Sequence, residues 1–408
     1  MKIIDGGVTA PKGFKAAGVR AGIKEGKTNK DMAAIYSEVP ANVAGTFTKN
    51  IVKAAPVLWD MKVVKEEKKA QTVVINSGIA NACTGDKGYE DTERMAKLMG
   101  GALNVKPEQV LVASTGVIGF QLPMDVIELG IDKLKDLVSD TREAAVDAAT
   151  AILTTDTHKK EIAVTFDIDG TPVTMGAMCK GSGMIHPNMG TMLGFITTDL
   201  DIDQKLLEKA LKENIEDTFN MVSVDGDTST NDTVLILANG LAGNKKIDAE
   251  GTAYDAFKQA LNEVNTFLAK QIAGDGEGAT RLFQVDVVGA PDKKTAKALA
   301  KSVVTSNLTK CAIYGMDANV GRILCAMGYS GAEFDPYKVD ITIKSERGSL
   351  QLVKDGMYAE FDEETASEIM AKETVIAVCD IKSGTETATA WGCDLTYEYV
   401  EINADYRS

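Results

Sequence analysis

Residues 162–198 read IAVTFDIDGTPVTMGAMCKGSGMIHPNMGTMLGFITT, and their pattern decides the fold. Two apolar runs, Ile162–Ile168 and Pro172–Met178, flank the turn dipeptide Asp169-Gly170 and therefore predict a β-hairpin. A third apolar run, Met192–Thr198, predicts a buried strand. A segment rich in turn-forming residues joins the hairpin to this strand. The stretch thus predicts strands on both sides of a loop.

Strands and helices alternate on both sides of this stretch. Short apolar runs predict further strands at Gln71–Asn76, Gln109–Ala113, Thr233–Ala238, Arg281–Val288, Val339–Lys344, Thr374–Ile381 and Ala388–Val400. Helical spacing of apolar residues predicts helices at about Tyr89–Leu103, Asp140–Leu153, Gln204–Ile215, Ala253–Gln271 and Thr295–Thr305. The alternation predicts an α/β fold of layered sheets and helices. A length of 408 residues fits one large unit or two packed α/β units.

Charge and composition exclude several classes of partner. The net charge is −15, and an acidic surface argues against nucleic acid and anionic membranes, which attract an excess of Lys and Arg. The first residues, MKIIDGG, contain no long apolar region typical of a signal peptide. No apolar run approaches the roughly 20 residues that span a bilayer. We therefore expect a cytoplasmic protein, or else the lumenal form of a protein that has already been processed.

The few histidines and scattered cysteines limit the chemistry. The two histidines, His158 and His186, exclude a histidine-rich metal site and leave a Ser-His-Asp triad only two candidates. We interpret both as structural, with assistance to chain cleavage as the alternative role of His186. The cysteines form no C-x-x-C pair, and we expect reduced, mostly buried thiols; they are Cys83, Cys179, Cys311, Cys325, Cys379 and Cys393. Nucleophilic chemistry should therefore use a base other than imidazole.

The junction of Gly190 and Thr191 can supply such chemistry. The Thr191 hydroxyl would attack the Gly190 carbonyl and shift the acyl group from nitrogen to oxygen, after which water would release a chain that begins at Thr191. The freed α-amine has a pKa of about 7.7–8.0 in model peptides, so it can accept the hydroxyl proton near neutral pH. Threonine and its own amine form a complete nucleophile–base pair. For such a segment considered alone, a glycine-rich turn before a strand is the commoner explanation.

The segment KGSGMIHPNMGTML at 180–193 resembles the processing site of the glutamate/ornithine N-acetyltransferase family. Similar blocks follow the family order at 9–24 (TAPKGFKAAGVRAGIK), 47–50 (FTKN), 54–57 (AAPV), 76–85 (NSGIANACTG), 114–119 (STGVIG), 154–157 (TTDT), 223–232 (SVDGDTSTND), 276–280 (GEGAT), 306–323 and 390–408. The chain departs from the family at Gly190, where alanine is usual, and at Ile79, Val320 and Ser408. None of these departures changes the nucleophile.

The resemblance implies a self-processing enzyme of arginine biosynthesis. Its fold would be a layered sandwich of the N-terminal-nucleophile-like type with a second, smaller α/β lobe. Cleavage would give an alpha chain, 1–190, and a beta chain, 191–408, which would form one intertwined catalytic unit and associate as two of each. N-acetylornithine would acetylate Thr191, and glutamate would take the acetyl group. No cofactor or metal is implied, and the sequence leaves open whether acetyl-CoA is also a donor.

The resemblance also assigns the reacting groups. Thr191 would be the nucleophile and would contact the substrate. The Thr115 hydroxyl and the Gly116 amide would form the oxyanion hole, since acyl transfer needs donors aimed at the developing charge. The sequence places both residues in a loop after the strand Gln109–Ala113. An ordinary turn is the alternative explanation for this dipeptide.

The remaining assignments concern substrate binding. Lys180 would hold a substrate carboxylate, and Glu277, between two glycines, would bind an amino group of ornithine. Thr157 is our choice among the threonines of TTDT, and Asn403 and Ser408 would complete the contacts. Solvent-exposed positions are the common alternative for such a lysine and such a glutamate.

Two other functions remain open at this stage. A self-processing aminopeptidase or amidase of related architecture would use the same nucleophile with water as acceptor. A metabolite-binding protein with an inactive site would bind without chemistry.

Overall fold

The computed structural model describes residues 1–186 and 192–404 of the chain. The chain divides into two compact units. The first unit comprises Met1–Gly181, the described residues of Pro187–Phe219, and Thr228–Leu268. The second, smaller unit comprises Ser182–His186, Asn220–Asp227 and the described residues of Ala269–Ser408.

Both units combine strands with helices. The described strands are β1 (Lys2–Ile4), β2 (Phe14–Val19), β3 (Met32–Phe47), β4 (Lys69–Ile79), β5 (Val110–Val117), β6 (Lys160–Ile168), β7 (Thr171–Lys180), β8 (Leu193–Thr198), β9 (Val222–Ser223), β10 (Thr233–Ala238), β11 (Leu282–Ala290), β12 (Asp340–Ser345), β13 (Gly348–Lys354), β14 (Met357–Tyr358), β15 (Thr374–Asp380) and β16 (Glu386–Cys393). The described helices are α1 (Ala55–Glu66), α2 (Gly85–Leu103), α3 (Met124–Leu137), α4 (Arg142–Ala151), α5 (Gln204–Asp217), α6 (Thr252–Gly274), α7 (Lys293–Thr305), α8 (Asn307–Tyr314), α9 (Val320–Gly328), α10 (Glu363–Met370) and α11 (Tyr397–Ala404).

The first unit is built on one mixed sheet. Its strand order is β1-β6-β7-β8-β10-β3-β4-β5, and β2 pairs with β3 beside this path. Helices α1 and α2 pack against β5, α3 and α4 against β2, and α5 against β3. Apolar side chains from these elements, such as Phe14, Ile75 and Phe195, form a buried core. Because β8, β10 and the second half of β7 are buried, their sequences read as apolar runs rather than as alternating patterns.

The strands on either side of the Gly190–Thr191 junction are neighbours in this sheet. Strands β7 and β8 are antiparallel, with Lys180 opposite Leu193 and Cys179 opposite Gly194. Strand β8 also pairs in parallel with β10, which in turn pairs with β3. The predicted hairpin of β6 and β7 is confirmed, with Ile168 opposite Thr171.

The second unit has a sheet of its own, in the order β14-β13-β12-β15-β11-β16-β9. Strand β11 pairs in parallel with β15 and antiparallel with β16. Helix α7 packs against β11 and β16, and α10 against β12 and β13. The predicted α/β class, with a second and smaller α/β unit, is therefore confirmed.

Two predicted boundaries are wrong. The loop expected at Ser114–Gly116 is instead the end of β5, because parallel pairing with β4 continues to Val117. The strand expected over Ala388–Val400 ends at Cys393, and Tyr397–Val400 lie in α11. There the Thr396 hydroxyl accepts a hydrogen bond from the Tyr399 amide (3.3 Å), a contact that favours a helix start over a continuing strand.

Only three of the six cysteines are buried. Cys179, Cys379 and Cys393 are buried, whereas the remaining three, Cys83, Cys311 and Cys325, are exposed, so the expectation of mostly buried thiols is only half correct. Within residues 1–186 and 192–404, no helix is long and apolar enough to cross a membrane.

Candidate active site

Strand β5, which carries Thr115 and Gly116, is held at the edge of the first sheet by side chains of α1. The Trp59 indole donates to the Val110 carbonyl (2.8 Å), and the Val112 amide donates to the Asp60 carboxyl (2.8 Å). These contacts use backbone groups that an edge strand would otherwise leave unpaired. Asp60 is completely buried, and this burial raises the pKa of its carboxyl well above the usual value. The path of β5 is thus fixed before it reaches Thr115.

The end of β5 requires glycine at position 116. Gly116 has φ +129°, and a Cβ there would lie 2.2 Å from the carbonyl carbon of Gly78 on the neighbouring strand. The two backbones therefore approach more closely than any side chain allows. Thr115 is only 9% exposed, and within the described parts of the chain its hydroxyl has no hydrogen-bond partner. Thr115 Oγ1 is not among the fully buried oxygens that lack a partner, so the hydroxyl keeps some access to solvent. An accessible hydroxyl that is free to donate suits the oxyanion-hole role predicted for Thr115.

A buried asparagine from the 223–232 block supports this strand end. The Asn231 side-chain amide donates to the Ser114 carbonyl (2.8 Å) and to the Ala80 carbonyl (2.6 Å). Its oxygen accepts from the Thr230 hydroxyl (2.6 Å). Because the Ser114 carbonyl belongs to the same peptide plane as the Thr115 amide, Asn231 orients the backbone that carries Thr115.

Gly116→Ala is expected to lower the free energy of unfolding by several kcal/mol. The backbone conformation costs about 1–3 kcal/mol for a residue with a Cβ, and the overlap with Gly78 adds about 1–3 kcal/mol. Gly119→Ala is the matched control, since Gly119 has φ +92° but no atom within 4 Å of its would-be Cβ. Urea unfolding should show the larger loss for Gly116→Ala, and equal losses would contradict the close approach.

Lys180 lies at the last position of β7, beside a buried cluster of charges. The Lys160 ammonium donates to Asp156 (2.7 Å), and both side chains are fully buried. The Gly181 amide donates to the same carboxylate oxygen (2.9 Å). Burial opposes ionisation of Asp156, but the positive charges of Lys180 and Lys160 prevail and hold its pKa below the usual value. Lys180 itself is 7% exposed, so its charge acts in a largely desolvated position.

The TTDT block is anchored by its aspartate. The Thr154 amide donates to Asp156 (3.2 Å), in addition to the contacts of Asp156 with Lys160 and Gly181. Thr157, our choice as the substrate contact, is exposed, and its hydroxyl lies 3.0 Å from Nδ1 of the neighbouring His158. The sequence pattern did not indicate Asp156 as the residue that fixes this loop.

In the second unit, the structure brings together two residues that were predicted as substrate contacts. The Asn403 side-chain amide, on α11, donates to the Glu277 carboxylate (2.7 Å). Glu277 is 5% exposed, and its backbone amide donates to the Ser182 carbonyl (3.3 Å). Gly183 is required beside it, because a Cβ there would lie 2.2 Å from a carboxylate oxygen of Glu277. The carboxylate is therefore held in place rather than left in solvent.

The backbone at Met184 and Ile185 is fixed by an acidic residue of the 223–232 block. The Asp225 carboxylate accepts from the backbone amides of Met184 (2.7 Å) and Ile185 (2.9 Å). His186 is half-buried, with Nδ1 3.0 Å from the Ser223 hydroxyl. Burial, assisted by the charge of Lys301, lowers the pKa of His186 to about 4, so the imidazole is neutral at pH 7. Gly190, Thr191 and Ser408, which the sequence predicted at the site, lie outside the described residues.

Curated relatives match the chain over its whole length. It is 51% identical over 408 residues to the arginine biosynthesis bifunctional protein ArgJ of Caldanaerobacter subterraneus, covering 100% of both chains. It is 53% identical over 395 residues to arginine biosynthesis bifunctional protein ArgJ 1 of Clostridium acetobutylicum, covering 97% of this chain and 96% of the relative. A crystal structure of ornithine acetyltransferase from Mycobacterium tuberculosis, in complex with ornithine, is 40% identical. The match covers 46% of this chain and 98% of the chain in that crystal structure, with a TM-score of 0.44.

The family profile gives the same result, since residues 15–408 match the ArgJ family. A match of this extent, together with relatives about half identical from end to end, shows that the chain belongs to the ArgJ family of arginine-biosynthesis enzymes.

Proposed function

We infer that the protein transfers an acetyl group from N-acetylornithine to glutamate in arginine biosynthesis. The observation that carries this function is the ArgJ match over residues 15–408. The strand end at Thr115 and Gly116 supports it, because a hydroxyl that is free to donate, on a nearly buried residue beside a glycine, suits the stabilisation of an oxyanion. As an enzyme of amino-acid biosynthesis, the protein is proposed to act in the cytoplasm.

The proposed reaction has two halves. In the first, the Thr191 hydroxyl attacks the acetyl carbonyl of N-acetylornithine and gives its proton to the α-amine of Thr191. The oxyanion of the tetrahedral intermediate would accept hydrogen bonds from the Thr115 hydroxyl and the Gly116 amide. The C–N bond then breaks and releases ornithine, whose amine takes up the proton from the Thr191 amine. In the second half, the amine of glutamate attacks the acetyl-Thr191 ester, releasing N-acetylglutamate and restoring the hydroxyl.

The proposed substrate contacts follow the charges of the site residues. Lys180, largely desolvated at the end of β7, would pair with a substrate carboxylate. In the second unit, Glu277 would accept hydrogen bonds from an amino group of ornithine, with Asn403 orienting the carboxylate through its 2.7 Å contact. Thr157, Thr191 and Ser408 are proposed as further contacts.

We also propose that the active form is cleaved into 1–190 and 191–408. The pairing of β7 with β8 supports lasting association of the two chains, because residues on either side of the junction share one sheet. Assembly as two alpha and two beta chains stays a proposal that size-exclusion chromatography with light scattering can test.

With N-acetylornithine as donor, saturating glutamate is expected to receive most of the acetyl groups, with little free acetate. The acetyl ester should persist long enough for an amine to compete with water, as a transferase requires. Quantifying N-acetylglutamate and acetate by mass spectrometry checks this. If acetate forms as fast as N-acetylglutamate, the protein is an amidase that uses water as acceptor.

A second acetyl donor is tested in the same assay. The relatives are named bifunctional, which fits a second activity of those proteins. Acetyl-CoA and glutamate, supplied without N-acetylornithine, show whether this chain also accepts the thioester.

A further inference from the structure

A lysine outside the predicted site is held rigidly in the loop after β2. Lys24 is the last residue of the block at 9–24, and its loop is fixed by the fully buried carboxylate of Asp31. That carboxylate accepts from the backbone amides of Ala21 (2.6 Å), Ile23 (2.7 Å) and Lys24 itself (3.2 Å). The negative charge of Asp31 is therefore engaged by the backbone, and the position of Lys24 is set before any ligand binds.

The Lys24 side chain extends from this loop over β4, the strand that pairs with the end of β5. A Cβ on Gly78 would lie 3.1 Å from Lys24 Cγ, so the lysine stem passes directly over Gly78. Gly78 is the residue whose backbone Gly116 approaches. At its far end, Lys24 Nζ donates to the Leu153 carbonyl (2.6 Å), immediately before the TTDT block. The Lys24 side chain therefore lies between Gly78 and the start of the TTDT block.

The ammonium group of Lys24 retains capacity to bind an anion. It has three N–H donors, and over the described ranges the Leu153 carbonyl is its only hydrogen-bond partner. Burial lowers the pKa of Lys24 to about 8; the charge of Asp31 opposes this shift, and the charge of Lys180 adds to it. The group is still mostly protonated at pH 7. A bound carboxylate would offset the cost of keeping this cation partly desolvated beside Lys180.

We propose that Lys24 binds the side-chain carboxylate of the glutamate acceptor. This inference rests on the proposed function, in which Lys180 binds a single carboxylate of an amino-acid substrate. N-acetylornithine has one carboxylate, whereas glutamate has two. Once Lys180 has bound one carboxylate, only glutamate offers a second carboxylate for the ammonium group of Lys24. Lys24 is therefore a specificity-determining residue for the second half-reaction.

Lys24→Met tests this by removing the charge while keeping an unbranched stem over Gly78. We expect kcat/KM for glutamate to fall by about 10- to 100-fold, the range for loss of a hydrogen bond to a charged group. Formation of acetyl-enzyme from N-acetylornithine, followed by intact mass in rapid-quench samples, should stay near the wild-type rate. Lys27→Met is the matched control, because Lys27 is an exposed lysine three residues further along the same loop.

Glutamine as acceptor provides the second readout, since it has the shape of glutamate without the second charge. The wild-type enzyme should prefer glutamate, and Lys24→Met should lose that preference while using glutamine as well as the wild type does. Equal losses in both half-reactions, or an unchanged preference for glutamate, would overturn the role of Lys24. Failure of the proposed function itself would look different, because wild-type enzyme would then not acetylate glutamate at all. Thermal unfolding of each variant separates these outcomes from misfolding.

Discussion

Thr191→Ala should leave an uncleaved chain of 408 residues with no acetyl transfer. The substitution removes the one hydroxyl proposed both to cut the chain and to carry the acetyl group, and without a cut the α-amine that serves as base is never freed. Intact mass of the purified wild-type protein should show the fragments 1–190 and 191–408, whereas the variant should show one chain. N-acetylglutamate formation should be undetectable in the variant.

Thr191→Ser is the control for this experiment. Serine keeps the hydroxyl but lacks the methyl group that restricts χ1, so it should cleave and turn over, more slowly at one or both steps. An active wild-type protein that remains a single chain would refute self-cleavage. Transfer activity in Thr191→Ala would require a different nucleophile.

Thr115→Ala should reduce kcat by about 10²–10³, the usual effect of deleting one oxyanion donor. Thr115 is nearly buried and its hydroxyl has no partner among the described residues, so the substitution should leave the fold intact. The Gly116 amide would remain, so residual activity should be measurable, in contrast to Thr191→Ala. Steady-state kinetics with N-acetylornithine and glutamate give the comparison.

Thr115→Ser distinguishes loss of a donor from altered packing. It restores the hydroxyl and should recover most of the rate, with KM close to that of the wild type. Equal, mild losses in Thr115→Ala and Thr191→Ala would mean that Thr191 is not the nucleophile.

Much of the fold is predictable because its signals are local. The hairpin of β6 and β7 follows from two apolar runs around Asp169-Gly170, and β10 begins and ends where its apolar run does. The long strand β3 was missed for a local reason as well. Its sequence contains several small residues and Pro40, and the pairing with β4 shifts between Tyr36 and Ala41. A period-2 pattern is therefore absent where the strand is irregular.

The candidate site was less predictable because its contacts join distant parts of the chain. Asn231 supports the Ser114 carbonyl across 117 positions of sequence, and Lys24 reaches Leu153 across 129. Both residues lie in blocks that resemble the family, but no spacing rule indicates which carbonyl each one contacts. Asp156 was obscured in the same way, since its partners Lys160 and Gly181 become neighbours only when β6 and β7 pair.

The strand order of the first sheet determines what a cut before Thr191 would do to the molecule. Residues 1–190 supply β1, β6 and β7 on one side and β3, β4 and β5 on the other, while residues 191–408 supply β8 and β10 between them. The second polypeptide would thus supply the two adjacent strands that join the two halves of the sheet formed by the first polypeptide. Separation of the pair would break two ladders at once, β7 with β8 and β10 with β3. Cleavage would give two chains in place of one, but the two chains would still share a single sheet. Each copy of 1–190 would therefore be paired with one copy of 191–408.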